Sequence, residues 1–170
     1  IIVLHFLRQA LGTQTTPSNQ VLVGLALFLT LLVLQPLLGE IQKVSWDPLQ
    51  KGESTPGQAW ERAAPLIKSH LLRHSREKDL AMLVEISRLP RPENPSALGF
   101  DVLVPAYMLG ELRAGFQIGA VLFLPFLIID LVAASVTLAV GMVQLPPVMI
   151  AAPFKILLFV LADGWNLVVG

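Results

Sequence analysis

Hydrophobic residues fall along this chain in long blocks, not in strand-like alternation. Val21 to Leu38 (VLVGLALFLTLLVLQPLL) runs for 18 residues with little polar interruption. Ile118 to Val143 runs for 26 residues with one charge, Asp130. Leu145 to Ala162 (LPPVMIAAPFKILLFVLA) is a third block, broken by Lys155 and three prolines. A helix needs about 20 apolar residues to cross a bilayer. The second block qualifies, and the first and third lie at the limit. The opening IIVLHFLRQAL reads as the tail of a fourth. The TPSN piece around Pro17 and the VQLPPV piece at 143–148 are short polar or proline-rich breaks that turn successive helices into hairpins.

Between the first two blocks the pattern changes. Residues 39–114 hold 10 of the 12 basic and 10 of the 12 acidic residues, as expected for a water-exposed insert. Its apolar positions recur at helical spacing: Trp60, Ala64, Ile67, Leu71 and Leu72, then Leu80, Leu83, Val84 and Ile86. Thr55 before Pro56 is a helix start, and Pro65 is expected to kink or restart that helix. LPRPENPSALG, 89–99, reads as a loop.

The expected fold is therefore all-α. A membrane hairpin over 1–38 (first helix truncated) precedes a soluble helical insert over 39–114 and a truncated C-terminal hairpin over 115–170. The chain starts at Ile1 within an apolar run and ends on NLVVG, so it reads as a segment of a longer protein. Any signal peptide would lie upstream. Arg8 beside the TPSN loop weakly favours that loop in the cytoplasm and the insert outside.

Composition narrows the function. Charged residues make up 14% of the chain, against about 25% in soluble domains. Twelve basic and twelve acidic residues cancel, which leaves no electrostatic footprint for nucleic acid. With no cysteine, disulfides, thiolate metal sites and cysteine nucleophiles are excluded. No GxxxxGK[ST], GxSxG or HExxH motif occurs, so neither an enzyme nor a cofactor is expected. His70 and His74 have i, i+4 metal-ligand spacing. Lys68, Arg73 and Arg76 beside them repel a cation, and no third ligand stands out, so solvent-facing histidines are expected and no metal.

The candidate chemistry lies in the polar residues of the apolar blocks. Charges at membrane depth usually face a bundle interior and find a partner. Folding the last hairpin about residues 144–147 brings Asp130 opposite residue 160 and leaves Lys155 about 7 Å off level, within a lysine's reach. Three readings of Asp130 stay open: a structural ion pair, a proton relay, and a position less buried than hydropathy suggests. Asp163 could join Asp130 as an intramembrane aspartyl pair, but the Gly-x-Gly-Asp context is missing. Asp163 is better read as a helix end, with Gly164 as breaker and Trp165 at an interface. Gly115 and Gly119 (GxxxG) and Ser135 and Ala139 are small-xxx-small pairs that favour close helix packing and assembly.

Three strings carry a resemblance: ALGTQTTPSNQVLVGLALFLT (10–30), LVPAYMLGELRAGFQIGAVLFLPFLIIDLVAASV (103–136) and LPPVMIAAPFKILLFVLADGWNLVVG (145–170). They closely resemble the FliP family, the flagellar members of the type III secretion export gates. The resemblance spans nearly the whole chain and fails mainly in the central insert. It implies a core subunit of a helical channel for unfolded flagellar proteins in the bacterial inner membrane, at the flagellar basal body. The subunit would form a homo-oligomer of about five copies, with FliQ-like and FliR-like subunits, the export substrates and membrane lipid as further partners. The insert would be periplasmic, and Asp130 would be buried against protein, not lipid. The family's constriction loop reads GMMM before a proline pair; this chain reads GMVQLPP. Met142 matches the first methionine, while Val143 and Gln144 replace the others. Methionine is flexible and apolar and can reseal around varied chains, so this loop is expected to seal less well unless neighbours compensate. The alternative function is a proton- or solute-coupled transporter with Asp130 and Lys155 as its relay. Asp130→Asn separates the readings: lost assembly marks a structural pair, and intact assembly with lost transport marks a relay.

Overall fold

The computed structural model describes residues 1–13, 15–88, 94–141, 146–164 and 166. Every regular element among them is helical. The helices are α1 (Ile2–Ala10), α2 (Asn19–Ile41), α3 (Asp47–Gln50), α4 (Pro56–His74), α5 (Glu77–Ile86), α6 (Phe100–Ala139) and α7 (Pro147–Leu161). A π-helical segment, Gln42–Trp46, joins α2 to α3 without a break, giving a continuous helical rod of 32 residues from Asn19 to Gln50. The first apolar block is thus the core of a longer helix. Pro36 lies inside α2 and leaves the Leu32 carbonyl without its helical donor. The π segment stands directly before Pro48, whose ring cannot serve the carbonyl of Val44; the wider turn absorbs that clash.

The second apolar block is likewise only part of its helix. α6 begins at Phe100, runs for 40 residues and so extends about 60 Å. That is twice the hydrocarbon thickness of about 30 Å. The Asn19–Gln50 rod and α6 are long and apolar enough to cross a membrane. α7 is apolar but has only 15 residues.

The chain divides into two compact units, one of Ile1–Ala26 with Ala114–Gly170 and one of Leu27–Arg113. The boundaries between the units fall inside α2, after Ala26, and inside α6, after Arg113. In the first unit, Leu7 and Ala10 of α1 bury against Phe126 of α6 and Phe159 of α7, with Leu11 and Phe123 around them. Phe6 meets Phe116 and Phe123 edge-on, at 6.1 and 6.4 Å between ring centroids. In the second unit, Leu71, Leu80, Val84, Leu98, Val102, Leu103 and Ala106 form the core. Leu80 and Val84, one turn apart on α5, face inward together and meet Leu71 of α4.

α4 starts where the sequence says it should. Thr55 accepts from the Gln58 amide, the Gln58 side chain accepts from the Thr55 amide, and Pro56 occupies the first turn. Pro65 does not end the helix, which continues to His74 around it. Of the expected 89–99 loop, residues 89–93 lie outside the described residues; Pro95–Ala97 form a 3-10 turn leading into α6.

Candidate functional site

The site is built in the first unit from α1, α6 and α7. Asp130 sits on α6 and Lys155 on α7. The Lys155 Nζ donates to Asp130 Oδ2 at 2.6 Å. The lysine is almost wholly enclosed, with 2% of its surface exposed, while the aspartate side chain keeps 34%. That exposure belongs to other atoms of the side chain, because Asp130 Oδ1 is itself buried, with no hydrogen-bond partner among the described residues. A lysine buried this deeply needs its counter-charge: each ion taken out of water costs several kcal/mol, and only a well-placed opposite charge offsets it.

A pocket of about 440 Å³ opens beside the pair, with His5, Arg8, Gln9 and Thr13 supplying its polar wall. Arg8 was read from sequence only as an orientation signal. It is 8% exposed and donates through Nη1 to the Pro17 carbonyl (3.3 Å) and Asn19 Oδ1 (2.6 Å). A lone arginine in an apolar opening was the signal that could have marked it.

The glycine pair of α6 has a use inside this chain. A Cβ on Gly119 would stand 2.5 Å from Phe6 Cδ2 and 2.8 Å from Cγ, so only glycine lets α1 lie this close. At Gly115 the nearest atom, Ile2 Cβ, is 3.4 Å away, an ordinary contact. Gly115 and Gly119 thus face α1 of their own chain. Ser135 is exposed and its hydroxyl donates back to the Leu131 carbonyl, and Ala139 is exposed as well, so among the described residues no helix covers that second pair.

The aspartates do not form a dyad: the partner of Asp130 is Lys155. Asp163, grouped with the buried charges in the sequence reading, is exposed past the end of α7. It takes the left-handed conformation itself (φ 48), which puts the helix stop at Asp163, one residue before Gly164. Gly164 instead makes room for the Phe159 ring, with which any Cβ there would collide. Met142, Val143 and Gln144 lie outside the described residues, as does Trp165.

In the second unit the His70 and His74 rings lie 4.4 Å apart. His74 Nδ1 donates to the His70 carbonyl at 2.8 Å, local bonding of α4 to itself. Partial burial, then the His74 and Arg73 charges, push His70 below its usual 6.5, with Glu111 pulling the other way. Among the described residues no group of three or more His, Cys, Asp or Glu could hold a metal. An ion pair missed from sequence joins Asp79 of α5 to Arg113 of α6 at 3.0 Å. Asp79 is 2% exposed, yet it was one acidic residue among ten in the insert.

A buried ion pair is chemistry that many helical membrane proteins share, so its owner is decided by wider comparison. The family model described as the FliP family matches residues 1–170, the whole chain. The chain belongs to the FliP family. It is 47% identical over 169 residues to the flagellar biosynthetic protein FliP of Bacillus subtilis, covering 99% of this chain and 76% of that protein. It is 49% identical over 170 residues to the FliP of Cereibacter sphaeroides, covering all of this chain and 56% of that one. The FliP of Aquifex aeolicus is 39% identical over 171 residues, with 99% and 72% covered. This FliP-family chain therefore spans between about half and three quarters of the relatives' length.

Proposed function

We propose that this chain is a core subunit of the flagellar type III export gate, the conduit through which unfolded flagellar proteins cross the inner membrane. The match to the FliP family across all 170 residues carries this reading. The relatives are named for flagellar biosynthesis, and two apolar helices long enough to span a bilayer suit a membrane assembly. The subunit works as a wall of the conduit, not as a catalyst. Its partners are FliQ-like and FliR-like subunits and about four further copies of itself, and its charged insert, 39–114, faces the periplasm. The exposed apolar faces of α2, α6 and α7 are then covered by lipid and by those neighbours. The Asp130–Lys155 pair holds α6 and α7 as one hairpin within the wall. Met142, Val143 and Gln144 stand at the constriction. A β-branched valine and a polar glutamine seal around a passing chain less well than methionine does.

The test is the mass of the full-length protein in detergent, expressed alone and with its FliQ-like and FliR-like partners. A discrete ring-sized oligomer that takes up those partners is expected. A monomer or dimer that ignores them would sink the reading. Val143→Met with Gln144→Met is expected to reduce ion leak through the closed gate.

A further inference from the structure

We propose that the turn after α1, bolted by Arg8 and opened by Gly12, positions the Asp130–Lys155 pair by closing over the lysine. Gly12 has φ +79, the left-handed conformation that favours glycine. A Cβ at Gly12 would stand 3.2 Å from Val148 Cγ1 and 3.9 Å from Lys155 Nζ. The turn thus passes close to the ammonium, and a side chain there would press on Val148 of α7 and stand beside Lys155. This explains the asymmetry of the pair: the lysine, which lies under the turn, is sealed, while the aspartate stays a third exposed.

Arg8 fixes the turn from both sides. Its Nη1 reaches forward to the Pro17 carbonyl and Asn19 Oδ1, and its Nη2 lies 3.0 Å from His5 Nδ1 on α1. Thr13 Oγ1 donates to the Arg8 carbonyl at 3.2 Å. Arg8 does not serve Asp130 directly, because Asp130 Oδ1 has no partner among the described residues although both side chains line one pocket. Its influence on the pair runs through the turn, which makes Arg8, Gly12 and Asn19 positioning residues. The export-gate reading supplies the biological meaning of the pair; the sealing itself is a property of the folded chain.

The experiment is amine-selective acylation of the full-length protein in detergent, with modification of Lys155 measured by mass spectrometry against exposed Lys51 in the same molecule. Wild type is expected to modify Lys155 far more slowly than Lys51. Gly12→Val and the milder Asn19→Ala are expected to raise Lys155 modification several-fold and leave Lys51 unchanged. Arg8→Lys keeps the charge but loses the fork, and is expected to behave like Asn19→Ala. Lys155 protected as in wild type in Gly12→Val and Asn19→Ala would overturn the proposal. So would Lys155 and Lys51 rising together, which marks general loosening. Motility separates the two readings: a defect with Lys155 still protected counts against the positioning role alone. An uncovered Lys155 with normal motility supports positioning and counts against the pair's part in export.

Discussion

Asp130 and Lys155 illustrate how two charges survive among hydrocarbon. Among the described residues the ammonium has one acceptor, Asp130 Oδ2 at 2.6 Å, and losing it would strand a buried cation. Removing one member of a buried pair costs about 3–5 kcal/mol, whereas replacing both by apolar groups of similar volume is often neutral. Asp130→Ala is therefore expected to destabilise the protein by about 3 kcal/mol, at the low end because the carboxylate is partly solvated. Asp130→Leu with Lys155→Met is expected to recover most of that loss, and thermal unfolding in detergent checks both. A double variant as unstable as the single would show that the site needs the charges themselves. Gly119 carries the second expectation at this scale. Gly119→Ala forces the Phe6 ring to shift, an overpacking cost of about 1–3 kcal/mol. Gly115→Ala, with only ordinary contacts, is expected to be nearly silent, and comparing the two melting temperatures tests the difference. In the sequence both glycines read as a site of assembly between helices; nothing in GFQIG says that the partner is Phe6, 113 residues upstream of Gly119.

At the scale of the element, the best-read features were those with local causes. The Thr55 start of α4 was legible because a threonine stands before a proline, which needs no donor partner in the first turn; the structure adds Gln58, which completes the cap with Thr55. Thr55→Ala is expected to cost about 1 kcal/mol and to speed amide hydrogen exchange in the first turn of α4, with α5 unaffected. Equal exchange in both proteins would mean that packing, not the cap, sets that end. Helix lengths were less legible. The apolar run stops at Leu38, but the helical rod continues to Gln50, because Glu40, Gln42 and Lys43 are good helix formers that need no lipid. α6 likewise starts 18 residues before its apolar block, at Phe100. Hydropathy marks where hydrocarbon can lie, not where hydrogen bonding ends. Pro65 shows the converse: a local breaker overridden inside a helix held by its packed face.

At the scale of the whole molecule, pH offers a readout. His70 binds its proton less readily when folded, because of burial and then the His74 and Arg73 charges. The unfolded chain therefore takes up that proton first on acidification. This contribution to stability is complete above about 6.5 and is lost as pH falls below it toward the lowered folded value. The melting temperature is expected to drop between pH 7 and 5, and His70→Gln is expected to flatten that slope; an unchanged slope would place the dependence on other groups. The sequence by itself determined the helical class, the charged insert, the isolation of Asp130 and, through three long strings, the family. Those are properties of local pattern and of composition, which a chain carries whether folded or not. The sequence also put Lys155 within reach of Asp130 and read Asp163 as a helix end, but left three readings of Asp130 open; only the tertiary structure decided that the two charges meet and that Arg8 ties down the turn beside the lysine. It also decided that a charge from the crowded insert, Asp79, is buried against Arg113. The Asp130–Lys155 and Asp79–Arg113 pairs join residues on different helices, and such a pairing is set by which helix faces come together, a choice that no short stretch of sequence records.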